Sequence, residues 1–116
     1  MDEGRLIAER MYDAFNRRDA AATGELFTDD FRSHPLQATG PECVRDAWQR
    51  MWAHHPRIEV RLLDLVTDGE RVATRTEVAG FADGSAATML EMFTVAGGRI
   101  GELWGLSSQP QVPAQG

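Results

Sequence analysis

The chain has 116 residues, of which 42% are hydrophobic, and its formal net charge is −6 at pH 7. This length allows a single domain with one core, and the acidic balance, without a basic stripe, argues against nucleic-acid binding. Cys43 is the lone cysteine, which excludes an intramolecular disulfide and a thiolate metal cluster. Because the sequence has no long apolar run and no secretory signal, we expect a cytoplasmic protein.

The first half of the chain has the apolar period of helices. Apolar residues recur at helical spacing over residues 3–18, with charged residues opposite them, and predict an amphipathic helix. A second, short helix is predicted over residues 20–27. A third opens at Gly40-Pro41, because proline suits the first turn of a helix, and closes at residues 54–56. Residues 31–35 are expected to be extended, because the residue before a proline avoids the helical conformation.

The second half of the chain has the alternating pattern of strands. Four segments separated by Asp-Gly, Asp-Gly and Gly-Gly turn signals are predicted to form a meander of hairpins: 57–67, 71–81, 86–95 and 99–106. Helices followed by strands predict an α+β fold, with three helices packed on one face of an antiparallel sheet. We expect one domain over residues 1–108 and a flexible tail over residues 109–116.

Four stretches carry a resemblance to a known family: 11–19, 26–31, 33–35 and 93–104. In order and spacing they resemble the nuclear transport factor 2-like superfamily, and within it the SnoaL-like polyketide cyclases, with ketosteroid isomerase and limonene epoxide hydrolase as relatives. The resemblance implies a cone-shaped α+β barrel with a curved sheet and a homodimer formed through the outer sheet face. It leaves the reaction open, because this superfamily includes isomerases, cyclases, hydrolases and binding proteins without chemistry.

Three polar residues are the candidate catalytic groups. Glu91 shares its strand face with Met89 and Phe93, and a carboxyl among apolar neighbours should have a raised pKa because burial disfavours its charged form. By resemblance to ketosteroid isomerase, Glu91 falls at a protonated acid that hydrogen-bonds the substrate oxygen. Tyr12 falls at the tyrosine that donates to the oxyanion, and His34 at the general base. The structural alternatives are an acid paired with an arginine, a core tyrosine and a histidine that only orients substrate.

Other candidate residues would bind substrate. Arg75 and Glu77 share one strand face and resemble the Arg-x-Asp strand of limonene epoxide hydrolase, although a solvated ion pair on the outer face is the alternative. Phe15, Trp48 and Trp52 would supply an aromatic wall, and Met89 and Phe93, on the strand face of Glu91, would also contact the substrate. No organic cofactor and no metal is implied, and the adjacent histidines that end the third helix have no evident third ligand.

The last strand departs from the family at two positions, one of which is Leu103, where the family usually has a histidine before the tryptophan. SnoaL-like cyclases carry an acid directly after the tryptophan of this strand, whereas Gly105 follows Trp104 here. Three hypotheses remain. The one we adopt is a cyclase or isomerase acting on a hydrophobic carbonyl compound, polyketide- or steroid-like, with His34 as base and with Tyr12 and Glu91 stabilising the enolate. The others are an epoxide hydrolase or epoxide-opening cyclase and a non-catalytic protein that binds a hydrophobic ligand.

Overall fold

The structure, a computed structural model, describes residues 2–108, so the predicted tail lies outside the described residues. The helices are α1 (Glu3–Asn16), α2 (Thr23–Leu26) and α3 (Pro41–His54). The second predicted helix is therefore shorter than expected, since a 3-10 turn at Ala20–Ala22 precedes α2 and Phe27 is already extended. No helix among residues 2–108 is long and apolar enough to cross a membrane.

One open sheet contains all the strands, in the order β2-β1-β6-β5-β4-β3. The strands are β1 (Phe27–Ser33), β2 (Ala38–Thr39), β3 (Glu59–Asp68), β4 (Arg71–Ala79), β5 (Ala87–Ala96) and β6 (Arg99–Ser107). The predicted meander and the α+β class are confirmed. The sheet is nevertheless mixed, because β1, predicted only as a short extended segment, pairs in parallel with β6.

Alternation along the strands gives the sheet two distinct faces. On β4, Val72, Thr74, Thr76 and Val78 are buried on what we call the inner face. Helix α1 packs against β3 and β4, and α3 packs against β1. These two helices cover the inner face, and the side chains between them form the core. The outer face carries the intervening residues of each strand.

A side-chain clamp fixes the end of α1 to the edge strand. The Asn16 amide nitrogen donates to the Val60 carbonyl at 2.8 Å, and the Val60 N–H donates to the Asn16 amide oxygen at 2.8 Å. One amide thereby satisfies both backbone polar groups of a residue in β3, an outermost strand of the sheet. The clamp sets the separation between α1 and the sheet, which is the space that the candidate site occupies.

The connection from β4 to β5 begins at a glycine that the backbone requires. Gly80 has φ +86°, and a Cβ added there would overlap the carbonyl oxygen of Arg57. Gly84, in the same connection, has φ +82° but no atom within 4 Å of its added Cβ. Both positions therefore need a positive φ, which glycine adopts without strain. Of the two, only Gly80 also lies close to another backbone segment.

We expect Gly80→Ala to destabilise the protein more than Gly84→Ala. The Gly84 change should cost about 1 kcal/mol, because alanine tolerates a positive φ poorly. The Gly80 change should cost about 3 kcal/mol or more, because a backbone carbonyl must move as well. Urea unfolding of both variants checks this, and equal losses would show that the contact with Arg57 is unimportant.

Candidate functional site

A cavity of about 630 Å³ lies between the inner face of the sheet and helices α1 and α3. Its walls are mainly apolar and are formed by Met11, Phe15, Phe27, Phe31, Val44, Trp48, Ile58, Val60, Val78, Met89 and Leu103. The polar side chains on its lining are Tyr12, Ser33, His55, Asp83, Glu91 and Ser107. A more open groove of about 440 Å³ beside Ala20, Pro41 and Arg45 contains none of the predicted site residues. An apolar cavity with a few polar groups is the usual form of a small-molecule site.

Tyr12, Thr74 and Glu91 form a hydrogen-bonded chain at the wall of this cavity, and Tyr12 and Glu91 line it. Thr74 and Glu91 are direct partners across β4 and β5, so their side chains lie side by side on the inner face. The Tyr12 hydroxyl donates to Glu91 Oε1 at 2.7 Å and lies 2.7 Å from Thr74 Oγ1. Because the single tyrosine proton is directed at the carboxylate, the Thr74 hydroxyl is the donor in the second contact. The chain links α1 to the two central strands of the meander.

Burial gives Glu91 an unusual acidity. Desolvation raises the pKa of its carboxyl from 4.5 to about 7, and the hydrogen bond from Tyr12 opposes this change. Burial and the neighbouring charge of Glu91 raise the pKa of Tyr12 well above its ordinary value. At neutral pH, Glu91 therefore populates both its acid and its base forms, whereas Tyr12 keeps its proton. The expected raised pKa of Glu91 is present.

The second carboxyl oxygen of Glu91 faces the last strand. Glu91 and Gly105 are direct partners across β5 and β6. A Cβ added at Gly105 would lie 3.4 Å from Glu91 Cγ and 3.6 Å from Glu91 Oε2. Among residues 2–108, no hydrogen bond is made to Oε2. A carboxyl from the adjacent strand therefore lies beside Gly105 in the same part of the cavity.

His34 does not reach the cavity, so its predicted position as the pocket base is wrong. Ser33 takes the inner-face position beside Leu103, and the next residue therefore faces the other way. The His34 ring stacks on Trp104, with centroids 4.8 Å apart and planes at 8°. Its Nε2 lies 2.6 Å from Glu102 Oε2. Both partners belong to the outer face of β6.

The predicted inward pair of Arg75 and Glu77 also lies on the outer face. These residues alternate with the buried Thr74 and Thr76, so the parity of β4 directs them away from the cavity. Arg75 lies 3.8 Å from Asp64, and Glu77 lies 3.7 Å from Arg61, in exposed ion pairs. Their predicted inward position is therefore wrong, and within residues 2–108 no arginine forms an ion pair with Glu91. The arrangement that the epoxide hydrolase hypothesis requires is not formed.

The predicted apolar wall is only partly on the cavity surface. Phe15, Trp48 and Met89 line the cavity, as expected. Trp52 instead packs behind them, with its ring 5.7 Å from that of Phe15 and 6.0 Å from that of Trp48. Phe93 shares the inner face but is fully buried in the core. These two residues support the wall without forming its surface.

Sequence reasoning missed several polar residues of the site, of which Thr74 and His55 bear most on its chemistry. Thr74 could have been found from strand parity, because it alternates with Arg75 and lies beside Glu91 once the hairpin register is known. His55 was interpreted only as a helix end, yet it lines the cavity together with Asp83. Nothing in the local sequence pattern indicated that the end of α3 would reach the cavity.

Comparison with protein families gives a match to the SnoaL-like domain over residues 8–103. The chain belongs to the SnoaL-like domain family. Its fold agrees with this assignment. The chain is 32% identical to a loop-truncated variant of IdmH, and the match covers 84% of this chain and 87% of the other, with a TM-score of 0.74. No curated protein matches the chain.

Two further solved structures are similar over most of their length. Wild-type IdmH from Streptomyces antibioticus, a candidate polyketide cyclase, is 27% identical, with a TM-score of 0.81, over 92% of this chain and 93% of its own. A candidate polyketide cyclase from Bacillus cereus is 23% identical, with a TM-score of 0.84, over 91% of this chain and 74% of its own. The latter similarity shows the fold alone.

We expect Glu91→Gln to change how stability depends on pH. The pKa of Glu91 is 4.5 in the unfolded chain and about 7 in the folded protein. Between these two pKa values the unfolded state releases its proton first, so rising pH favours unfolding. The free energy of unfolding falls by a total of about 3 kcal/mol, and this fall levels off above the folded pKa. Glutamine still accepts the Tyr12 hydrogen bond but does not titrate.

Urea unfolding of both proteins from pH 4 to pH 8 measures this difference. The stability of Glu91→Gln minus that of the wild-type protein should grow as pH rises through the interval between 4.5 and about 7, then stay constant. Titration of other carboxyl groups cancels in the subtraction. A difference independent of pH would contradict a raised pKa for Glu91.

Proposed function

We propose that the protein is a cofactor-independent cyclase or isomerase that moves a proton at the carbon next to a carbonyl in a hydrophobic, polyketide- or steroid-like compound. The observation that carries the proposal is the Glu91 carboxyl, whose pKa is about 7 and which Tyr12 orients inside an apolar cavity. Membership of the SnoaL-like family supports the same class of reaction.

Glu91 is the proton carrier in this proposal. Its ionised Oε2 removes the α-proton, and the electrons of the C–H bond move to the carbonyl oxygen to form an enolate. The protonated carboxyl then returns the proton, either to another carbon, which isomerises the compound, or to the oxygen formed when the enolate carbon attacks a second carbonyl, which closes a ring. A group whose pKa lies near the working pH serves in both directions.

Tyr12 is a positioning residue in this scheme. Its proton is directed at Glu91 Oε1, so it fixes the carboxyl plane and leaves Oε2 facing the cavity. Thr74 in turn donates to the Tyr12 oxygen and holds the phenol in place. Locking the orientation of the acid in advance removes part of the entropic cost of reaching the reactive geometry. In this proposal Tyr12 therefore orients Glu91, whereas the sequence leads us to expect that it donates directly to the substrate oxygen.

The choice of Glu91 over His34 as the base follows from placement. His34 stacks on Trp104 at the outer face, whereas Glu91 lines the cavity. A protonated Glu91 that only donated to a substrate oxygen would need a separate base on the same lining. The ionised form of Glu91 supplies that base without a second residue, and its raised pKa makes it a stronger base than an ordinary carboxylate.

We expect wild-type protein to catalyse α-proton exchange of a tricyclic ketone, dihydrophenanthrenone, in heavy water, as followed by proton NMR. Glu91→Gln should lower the exchange rate by about a hundredfold or more, because it removes the base and leaves the shape of the cavity. His34→Gln should exchange at the wild-type rate. The wild-type rate should rise with pH and level off above about 7, as Glu91 ionises.

Two results would contradict this assignment. Equal rates for Glu91→Gln and wild-type protein would remove Glu91 as the base, and a large loss in His34→Gln would restore the histidine. Tight binding of the ketone without any exchange above the buffer rate would favour the non-catalytic binding protein instead.

We also propose that two chains associate through the outer face of the sheet, as the family resemblance implies. On the β5 and β6 part of this face four large apolar side chains are exposed: Leu90, Met92, Trp104 and Leu106. They form two direct cross-strand pairs on β5 and β6, Leu90 with Leu106 and Met92 with Trp104. A contiguous exposed apolar patch of this kind is typical of an interaction surface.

Sedimentation velocity tests the association. We expect the wild-type protein to sediment as a dimer and Leu106→Glu to sediment as a monomer at the same concentration, because a charge at the centre of a dry interface is costly. Leu6→Glu, which changes an exposed leucine of α1, is the matched control and should remain dimeric. A monomeric wild-type protein would refute the proposal.

A further inference from the structure

His55 lines the cavity without any part in the proton transfer described above. It follows the last residue of α3, and its backbone N–H donates to the Met51 carbonyl at 2.8 Å. Its ring is held on two sides. Nδ1 accepts a hydrogen bond of 3.0 Å from the Ala82 N–H, and the ring packs edge-on against Phe81, with centroids 5.1 Å apart and planes at 81°. The imidazole is therefore fixed by the connection between β4 and β5.

These contacts set the tautomer of the ring. A backbone N–H can donate only to an unprotonated ring nitrogen, so Nδ1 is the acceptor and the neutral imidazole carries its proton on Nε2. No residue in the described range 2–108 accepts a hydrogen bond from Nε2. His55 is half-buried and lines the cavity, and its Nε2–H is a hydrogen-bond donor whose orientation the Ala82 contact fixes.

The His55 donor lies far from Glu91. The β4–β5 ladder ends at the pair of Val78 with Ala87, and the connection that holds His55 follows beyond it. Glu91 lies four residues along β5 from Ala87, which corresponds to roughly 13 Å of strand. Between these points, the inner face presents the apolar side chains of Val78 and Met89 to the cavity. The cavity thus has a polar group near each end and a mainly apolar middle, where Ser107, the cross-strand partner of Met89, is also polar.

The charges of the lining favour a neutral ligand. Among the described residues that line the cavity, none is an arginine, and the carboxyl groups of Asp83 and Glu91 are both present. Asp83 is held by hydrogen bonds from Ser85, which lower its pKa, and the nearby His55 lowers it further. A carboxylate, phosphate or thioester-linked carrier with phosphate groups would meet an acidic lining with no fixed cation. A hydroxyl or carbonyl oxygen meets no such repulsion.

We propose that His55 is a specificity-determining residue that donates a hydrogen bond from Nε2 to a neutral oxygen on the ring farthest from the reacting carbonyl. The substrate class is then a neutral polycyclic ketone with oxygen functions at both ends and a hydrocarbon middle. The placement of the reacting carbonyl near Glu91 rests on the proposed function. The hydrogen bond from His55 does not depend on it.

Two ketones test this inference: dihydrophenanthrenone and its derivative with a phenolic hydroxyl on the ring farthest from the carbonyl. Dissociation constants are measured by quenching of tryptophan fluorescence. We expect wild-type protein to bind the hydroxy derivative about tenfold more tightly than the parent ketone, as one buried hydrogen bond allows.

Two variants separate the nitrogens of the ring. In His55→Asn the amide oxygen replaces Nδ1, which keeps an acceptor for Ala82 and removes the donor at Nε2. In His55→Gln the amide nitrogen replaces Nε2 and keeps a donor there. The preference for the hydroxy derivative should fall to about one in the asparagine variant and persist in the glutamine variant. His54→Gln, a change of the neighbouring exposed histidine, should keep the wild-type preference.

A second measurement uses the unaltered protein. The NMR signals of the His55 ring should shift on addition of the hydroxy derivative and much less on addition of the parent ketone. The inference would be overturned if wild-type protein and His55→Asn showed the same preference for the hydroxy derivative. It would also be overturned if wild-type protein showed no preference, or if neither ketone bound. Proton exchange measured on the same samples distinguishes the role of His55 from the proposed reaction. Exchange of the α-proton without a preference for the hydroxy derivative overturns only the role of His55. A preference without exchange overturns only the proposed reaction.

Discussion

The burial of one carboxyl is the constraint on which the site depends. Glu91 lies on the inner face of the sheet, where desolvation raises its pKa to about 7 and Tyr12 provides its hydrogen bond. Keeping such a group ionised in an apolar cavity costs stability, and that cost is what makes the carboxyl reactive near neutrality. The Tyr12 and Thr74 hydroxyls make the arrangement a single unit that joins α1 to β4 and β5.

Strand pairing explains how the site has an acid next to a last strand that carries glycine at position 105. Gly105 and Glu91 are cross-strand partners, and the space beside the glycine is occupied by the glutamate side chain. Two positions on adjacent strands of one face can therefore present a carboxyl to the same volume. A Cβ at position 105 would lie in ordinary van der Waals contact with Glu91 Cγ, at 3.4 Å, so glycine there leaves the most room beside the carboxyl.

The two faces of the sheet have different chemistry. The inner face and its helices enclose a cavity with polar groups near Glu91 and near His55, separated by apolar wall. The outer face carries exposed apolar side chains of β5 and β6 and the His34–Glu102 pair stacked on Trp104. Association through the outer face would leave the cavity accessible, because α1 and α3, which cover the inner face, lie on the opposite side of the sheet. Ligand binding and assembly can thus be altered separately by substitution.

The sequence alone determined the order of helices and strands, the hairpin turns and the grouping of Glu91 with apolar neighbours, because these depend on local periodicity and on glycine at turns. Tertiary structure decided which face of each strand is covered. Parallel pairing of β1 with β6 turns Ser33 inward and His34 outward, and burial of Thr74 turns Arg75 outward. A period of two shows which residues share a face, but only the packing of distant helices selects the face that lines a cavity. For the same reason His55, at the end of a helix, joins the site only through its contact with a remote connection.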